Sequence, residues 1–181
     1  MVALLLADGF EEIEALTPVD ILRRAGIVVK TYSINGDLCV CGAHNIMVDA
    51  DDIIENVDYD SIEAVILPGG MPGADNLENC REVQEVLSHA YENGKLMCAI
   101  CAAPKVLGKF GYLENKKATC FPGFEENLIG AQATGERVVK DGNVITSKGM
   151  GTAMDFSLAI LEYMKGKEVT DKMAASTMYN G

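Results

Sequence analysis

The alternation of wholly apolar runs with amphipathic segments is the feature that most constrains the fold of this chain. The runs 2–6, 64–67 and 96–100 are apolar at almost every position, as in strands buried on both faces. Because such strands alternating with helices favour a parallel sheet covered on both sides, we predict an α/β sandwich with a mostly parallel central sheet. The flanking helices are predicted over 11–25, 81–92, 103–110 and 153–165.

Shorter elements complete this prediction. A further strand is expected over 27–32, and two short strand-like pieces are expected within 36–48 around a glycine. The dipeptide Asp141-Gly142 predicts a small β-hairpin over 137–147. Thr152 is expected to cap the last helix. The remaining predictions are a loop-rich segment over 117–136 and a short packed appendage over 171–181.

Length and charge exclude several classes of protein. The 181 residues contain no repeat or linker, so we expect a single domain over 1–181. Fifteen basic against 27 acidic residues give a net charge of −12, which disfavours nucleic acid and anionic membrane surfaces as partners. The chain has no leader-like segment and no apolar stretch near the ~18 residues that span a bilayer. We therefore expect a cytoplasmic protein with reduced thiols.

Cys101 stands where an apolar strand runs directly into a helix. Ala99 and Ala103 flank it at −2 and +2, and a nucleophile elbow needs small residues there because strand and helix backbones approach closely. Pro104 suits the first turn of the helix that follows. A cysteine at a helix N-terminus is expected to have a lowered pKa. The alternative is a small apolar cysteine inside the core.

The other cysteines permit weaker hypotheses. Cys98 and Cys101 form a Cys-x-x-Cys pair typical of thioredoxin-like redox sites, but Cys98 falls within the predicted strand. Cys39, Cys41 and His44 could together hold a metal ion, although alternate strand residues share a face in any case. We predict no metal site.

Glu14 is the most informative carboxylate. It lies beside the apolar stripe of the first helix, and Pro18 four residues later removes the hydrogen bond to its carbonyl oxygen and is expected to kink the helix. Glu11 and Glu12 need no role beyond favourable charge at a helix N-terminus.

Three features follow the ends of separate strands, where ligands bind in open parallel sheets. Glu14, the pair Gly69-Gly70 and Cys101 are therefore expected to meet in one crevice. The amides of Gly69 and Gly70 could approach an oxyanion closely, or the pair could form a plain tight turn.

Stretches along the whole chain together resemble the DJ-1/PfpI (ThiJ) family, and specifically its DJ-1-like branch. The combination is specific, whereas each stretch alone is not. The matching stretches are Ala7-Asp-Gly-Phe-Glu-Glu-Ile-Glu14, Pro18-Val-Asp20 with Arg23-Arg-Ala-Gly26, Leu67-Pro-Gly-Gly70, Ala99-Ile-Cys-Ala102 with Pro104, and Thr146-Ser-Lys-Gly-Met-Gly-Thr152.

The resemblance implies a flavodoxin-like fold, usually a homodimer, and assigns roles to individual residues. By resemblance, Cys101 is the nucleophile and Glu14 is the carboxylic acid that hydrogen-bonds its sulfur. Gly69, Gly70 and the Ala102 amide line the substrate pocket. No metal and no organic cofactor are implied.

This chain lacks histidine at two positions where related sequence patterns carry it. Protease-like members of the superfamily carry a histidine directly after the nucleophile, where this chain has Ala102. Some DJ-1-like members carry a histidine in the pocket loop, where this chain has Phe121. The two histidines are His44, near the expected dimer interface, and His89, on a helix. A Cys-His-acid triad and peptidase activity are therefore not expected.

Three functions fit these observations. The first is a glyoxalase or deglycase, in which the Cys101 thiolate and a protonated Glu14 act on a small aldehyde or a glycated substrate. The second is a non-enzymatic sensor or chaperone of oxidative stress that uses oxidation of Cys101. The third is a flavodoxin-like ligand-binding module that retains a coloured cofactor, although nothing in the sequence requires one.

Overall fold

The computed structural model describes residues 1–180 and is built around a seven-stranded sheet. Its strand order is β10-β11-β7-β6-β1-β2-β5, and every neighbouring pair is parallel except β10 with β11. The strands of this sheet are β1 (Val2–Leu6), β2 (Val29–Ser33), β5 (Asp52–Ile53), β6 (Ala64–Leu67), β7 (Leu96–Ile100), β10 (Val138–Asp141) and β11 (Val144–Ser147). The predicted α/β sandwich and its small hairpin, β10–β11, are confirmed.

Two further pairs of short strands lie outside the main sheet. An antiparallel hairpin joins β3 (Cys39–Cys41) to β4 (Met47–Asp49), as expected for 36–48. Within the segment predicted to be loop-rich, β8 (Lys117–Ala118) pairs in parallel with β9 (Gln132–Ala133).

Within residues 1–180, six α-helices cover the sheet: α1 (Glu12–Arg24), α2 (Gly73–Asn79), α3 (Arg81–Glu92), α4 (Pro104–Lys109), α5 (Ala153–Lys165) and α6 (Lys167–Ser176). The helices predicted over 81–92 and 153–165 are confirmed at both ends. Two were missed: α2 follows a proline-glycine turn without a strong apolar pattern, and α6 occupies most of the predicted appendage, with Met173 packed in the core. Gly181 lies outside the described residues.

The buried strands divide their side chains between two cores. Alternate residues point to opposite faces, so Leu5 and Leu67 join the core under α2, α3 and α4, whereas Leu4 and Ile66 join the core under α1, α5 and α6. This division explains why continuous apolar runs, rather than alternating ones, encode the central strands.

The first helix differs from its predicted pattern. It continues through Pro18, and its inner face buries Val19 and Leu22 as expected, together with Ala15. Ile13 and Leu16, which recur at the same helical spacing and were expected on the inner face, are 49% and 39% exposed. The helix therefore has a second, uncovered apolar face.

Among residues 1–180, none of the helices is both long and apolar enough to cross a bilayer.

Candidate active site

The turn at Cys101 has the geometry of a nucleophile elbow. Cys101 follows β7 directly with φ at +64°, a left-handed conformation that costs a non-glycine residue about 1–3 kcal/mol. Its amide donates to the Ser147 carbonyl oxygen at 2.9 Å, and its carbonyl oxygen accepts from the Phe121 amide at 2.8 Å. Ala99 and Ala103 are fully buried on either side. The predicted tight turn between strand and helix is present, and backbone hydrogen bonds on both sides hold it in place.

Glu14 is a buried carboxyl group with one satisfied oxygen. The residue is 1% exposed, and its Oε2 accepts a hydrogen bond from the Gly69 amide at 2.9 Å. Its Oε1 has no hydrogen-bond partner within the described part of the chain. Burial, and secondarily the nearby charge of Glu11, raise the pKa of Glu14 to about 7, against the lowering effect of hydrogen bonds with Cys101 and Gly69. Glu14 can therefore hold or release a proton near neutral pH.

Gly69 permits the close approach of these two side chains. A Cβ atom at this position would lie 2.6 Å from both the Cβ of Cys101 and Oε2 of Glu14. Gly70 adopts φ at +89°, and a Cβ there would lie 2.4 Å from the Glu11 amide nitrogen. Gly70 thus forms a tight turn, and the Gly69 amide is already bonded to Glu14 rather than free to approach an oxyanion. Gly69, Gly70, Glu14 and Cys101 lie next to one another beyond the carboxyl ends of the strands, as predicted.

The pKa of Cys101 differs from the sequence-based expectation. Burial and the Glu14 carboxylate raise it to about 12, whereas the amides of Gly70 and Ala102 lower it. The prediction of a thiol acidified by a helix N-terminus was wrong for a structural reason. The helix α4 begins at Pro104, three residues after the sulfur, and only the nearby backbone amides act in the expected direction.

Glu14 and Cys101 consequently behave as one titrating pair. Two groups that interact this strongly lose their protons in two steps that belong to the pair. The first proton leaves near neutral pH, and the second is retained to strongly alkaline pH because a second negative charge would be buried beside the first. Between these limits the pair holds one proton, mainly on the sulfur, and the thiolate beside a protonated Glu14 is the minor arrangement of the same proton.

The remaining cysteine hypotheses receive no support. Cys98 lies inside β7 and is 1% exposed, which agrees with its predicted place in a strand. Cys39 and Cys41 lie on the β3–β4 hairpin but do not form a metal-ligand cluster with His44.

His44 instead joins a contact that sequence analysis missed. Glu12, expected to be an ordinary charge at the helix terminus, is 5% exposed and accepts from the backbone amide and Nδ1 of His44, both at 2.8 Å. Ligand atoms of Glu11, Glu12 and His44 lie within 4.8 Å of one another. The Glu12 carboxylate is occupied by His44, so this cluster joins the β3–β4 hairpin to the start of α1. The contact spans 32 residues, which no local pattern reveals.

The other histidine lies away from the crevice. His89 is on α3, and its ring packs edge-on against Tyr59 at 5.4 Å. Among the described residues, Cys101 therefore has a carboxyl group rather than an imidazole as its side-chain partner.

A cleft of about 390 Å³ is lined by Phe121, Gly149 and their neighbours, and not by Cys101 or Glu14 themselves. A Cβ on Gly149 would lie 3.3 Å from the Phe121 ring and 4.0 Å from Oε1 of Glu14. The unpaired carboxyl oxygen therefore lies close to the cleft. The loop after β11, which includes Lys148 and Gly149, was not predicted as part of the site, although it belongs to the last matching stretch of the family resemblance.

Comparison with known proteins identifies the family of the chain. Residues 1–163 match the model of the DJ-1/PfpI family. The chain is 39% identical over 165 residues to Protein DJ-1 homolog B of Arabidopsis thaliana, covering 90% of this chain and 38% of that protein. It is 38% identical over 172 residues to Protein dj-1beta of Drosophila melanogaster, covering 94% and 92%. It is 33% identical over 172 residues to the glutathione-independent glyoxalase DJR-1.2 of Caenorhabditis elegans, covering 94% and 91%.

Solved structures show the same fold. The structure of Toxoplasma gondii DJ-1 in an oxidized form superposes with a TM-score of 0.94 at 33% identity, covering 99% of this chain and 98% of that one. The chain spans well under half of the Arabidopsis relative but nearly all of the Drosophila and Toxoplasma proteins. With its flavodoxin-like sheet and its crevice after β1, β6 and β7, the chain belongs to the DJ-1/PfpI family.

Proposed function

We propose that this protein converts small 2-oxoaldehydes such as methylglyoxal to 2-hydroxy acids, with Cys101 as nucleophile and Glu14 as proton carrier. The observation that carries the proposal is a buried carboxyl group with a pKa of about 7, held against a cysteine on a strained turn. A relative that is 33% identical over nearly its whole length is named a glutathione-independent glyoxalase.

The reactive form of the pair has the shared proton on Glu14 and the negative charge on the sulfur. The amides of Gly70 and Ala102 favour this form because both stabilise charge on Cys101. In the first step the thiolate forms a bond to the aldehyde carbon. The π electrons of the carbonyl group move to its oxygen, which takes the proton from Glu14. The product is a hemithioacetal next to a carboxylate.

The following steps move hydrogen without an external oxidant. The Glu14 carboxylate removes the proton from the carbon bonded to sulfur and returns it to the neighbouring carbonyl carbon, while the hydroxyl proton moves between the two oxygens. The first carbon is oxidised and the second is reduced, which gives a 2-hydroxyacyl thioester on Cys101. One water molecule then hydrolyses the thioester, releasing the 2-hydroxy acid and restoring the thiol-carboxyl pair.

Early glycation adducts present the same type of carbonyl carbon, so the proposal includes glycated substrates that fit the cleft. A reducing compartment such as the cytoplasm suits this chemistry because Cys101 must stay a thiol. All six cysteines are free in the described structure.

Oxidation of Cys101 is a second candidate function. A relative with the same fold has been solved in an oxidized form. Two equivalents of peroxide would convert the thiol to a sulfinic acid and release two water molecules. A protonated Glu14 could then donate a hydrogen bond to a sulfinate oxygen, which makes Cys101 the preferred site of oxidation.

We further propose a homodimer that uses the uncovered face of α1. Ile13 and Leu16 on α1, together with Ile46 and Met47 of the β3–β4 hairpin, are large apolar side chains that are 39–57% exposed. A groove of about 510 Å³ runs along this face. Contiguous exposed apolar surface of this kind favours association, and a second copy of the chain presents the same surface.

Substitution at the pair should abolish turnover. Cys101→Ser and Glu14→Gln should each lower kcat/KM for methylglyoxal by at least about 100-fold, because each removes a group that takes part in bond formation or proton transfer. Lactate formation measures the effect. Cys98→Ala, which changes a buried thiol of the same motif outside the site, should retain most of the activity. Equal turnover by wild type and Cys101→Ser would refute the proposed chemistry.

Mild peroxide should oxidise Cys101 before the other five cysteines. Peptide mass spectrometry should locate the addition of two oxygen atoms at Cys101, and Glu14→Gln should reduce the yield of this product because the amide cannot donate the same proton. Half-buried Cys80 serves as the internal comparison. Equal oxidation across the six thiols would eliminate the sensor hypothesis.

A charge on the uncovered face of α1 should separate the proposed dimer. Ile13→Glu should shift the mass measured by light scattering from two chains to one, since the carboxylate would be desolvated in the interface. Ile129→Glu is the matched control, because Ile129 is 59% exposed and its neighbour Leu128 packs in the core on the opposite face of the sheet from α1. A wild-type protein that is monomeric at every concentration would contradict the dimer proposal.

A further inference from the structure

Lys148 is a half-buried cation without an acidic partner. Its Nζ donates only to the Gly135 carbonyl oxygen, at 3.2 Å, and no carboxylate oxygen in residues 1–180 lies within 4.0 Å of it. The chain has 27 acidic and 15 basic residues, so an unpaired lysine in a partly enclosed position is not explained by a shortage of carboxylates. Because Lys148 is partly buried, dissolved ions screen its charge less than they would screen a charge on an open surface. Its attraction for a bound anion is correspondingly stronger.

The position of Lys148 connects it to the reacting atoms. It follows Ser147, whose carbonyl oxygen accepts from the Cys101 amide at 2.9 Å, and it precedes Gly149, which borders Oε1 of Glu14. Lys148 also lines the cleft of about 390 Å³ together with Phe121, whose amide bonds to the Cys101 carbonyl oxygen. Two backbone hydrogen bonds, from Cys101 to Ser147 and from Phe121 to Cys101, therefore connect the cleft to Cys101. The cleft also contains the cationic side chain of Lys148.

The other charged side chain that lines the cleft is already engaged. The guanidinium of Arg137 contacts Asp155 at 2.5 Å and the Gly151 carbonyl oxygen at 3.1 Å. Lys148 is thus the charged side chain at the cleft whose ammonium group has no carboxylate partner.

Apolar surface lies beside this charge. The ring of Phe121 is 48% exposed and the side chain of Met150 is 57% exposed, and both line the cleft. A ligand that spans the cleft would place a short aliphatic segment against them. The cleft thus combines an apolar wall with a cation, and its Gly149 border approaches Oε1 of Glu14.

We propose that the cleft selects 2-oxoaldehydes that carry a carboxylate, with Lys148 binding that carboxylate and Phe121 contacting the aliphatic spacer. This inference rests on the proposed function and names its substrate class. The reaction balances as for methylglyoxal: one water molecule is consumed, the aldehyde carbon becomes the new carboxyl group and the neighbouring ketone becomes a hydroxyl group. A dicarboxylic 2-hydroxy acid is the product, so a reaction that consumes hydroxy diacids would follow.

The test compares two probes of equal shape. 4,5-Dioxovalerate carries a terminal carboxylate, and 4,5-dioxopentanamide carries a neutral amide in its place. Wild type should prefer the carboxylate by about tenfold in kcat/KM, equivalent to ~1.4 kcal/mol, with most of the difference in KM. Lys148→Gln should abolish the preference, and Lys148→Arg should retain it because the charge is kept.

Lys95→Gln is the matched control. Lys95 is also half-buried and has no carboxylate within 4.0 Å, but it precedes β7 at the end of the strand opposite Cys101. This variant should keep the wild-type preference. Equal kcat/KM for the two probes in wild type, or an unchanged preference in Lys148→Gln, would overturn the inference while the proposed function stands. Failure to turn over methylglyoxal as well as both probes would overturn both.

Discussion

The burial of the Glu14 carboxyl group against the sulfur of Cys101 is the interaction on which the rest of the site depends. A carboxylate at this depth costs several kcal/mol unless it is protonated or hydrogen-bonded, and here only Oε2 has a backbone donor. The pair avoids a second buried negative charge because it keeps one proton over a wide range of pH. Gly69 is required for this contact, since any side chain there would occupy the space between the two groups.

Separate elements of the fold hold Glu14 and Cys101 in place. β7 lies between β6 and β11, so the turn of Cys101 is flanked by Gly69-Gly70 on one side and by the loop after β11 on the other. Glu14 arrives from α1, which packs against α5 over the same sheet. The strained conformation of Cys101 persists because its amide and carbonyl group are each hydrogen-bonded to a different neighbouring segment. The geometry is thus a property of the whole sheet edge.

Local sequence patterns predicted the parts of this arrangement that local physics decides. Continuous apolar runs identified β1, β6 and β7 because they are buried on both faces, and small residues around Cys101 identified the elbow. The exposure of Ile13 and Leu16 could not be predicted, because the helical period shows an apolar face but not what covers it. The contact of Glu12 with His44 spans 32 residues, which the local pattern does not encode. The raised pKa of Cys101 depends first on burial of the thiol, which its place after a strand does not reveal.

The pH dependence of Cys101 alkylation tests the central claim most directly. If the singly protonated pair includes the arrangement with the proton on Glu14 and the charge on sulfur, the rate with iodoacetamide should rise with a midpoint at about 7, where the pair loses its first proton. Glu14→Gln should lose this midpoint and react only as the pH approaches the alkaline pKa of a buried thiol. A wild-type Cys101 that stays unreactive until alkaline pH, or an identical profile in Glu14→Gln, would contradict the account.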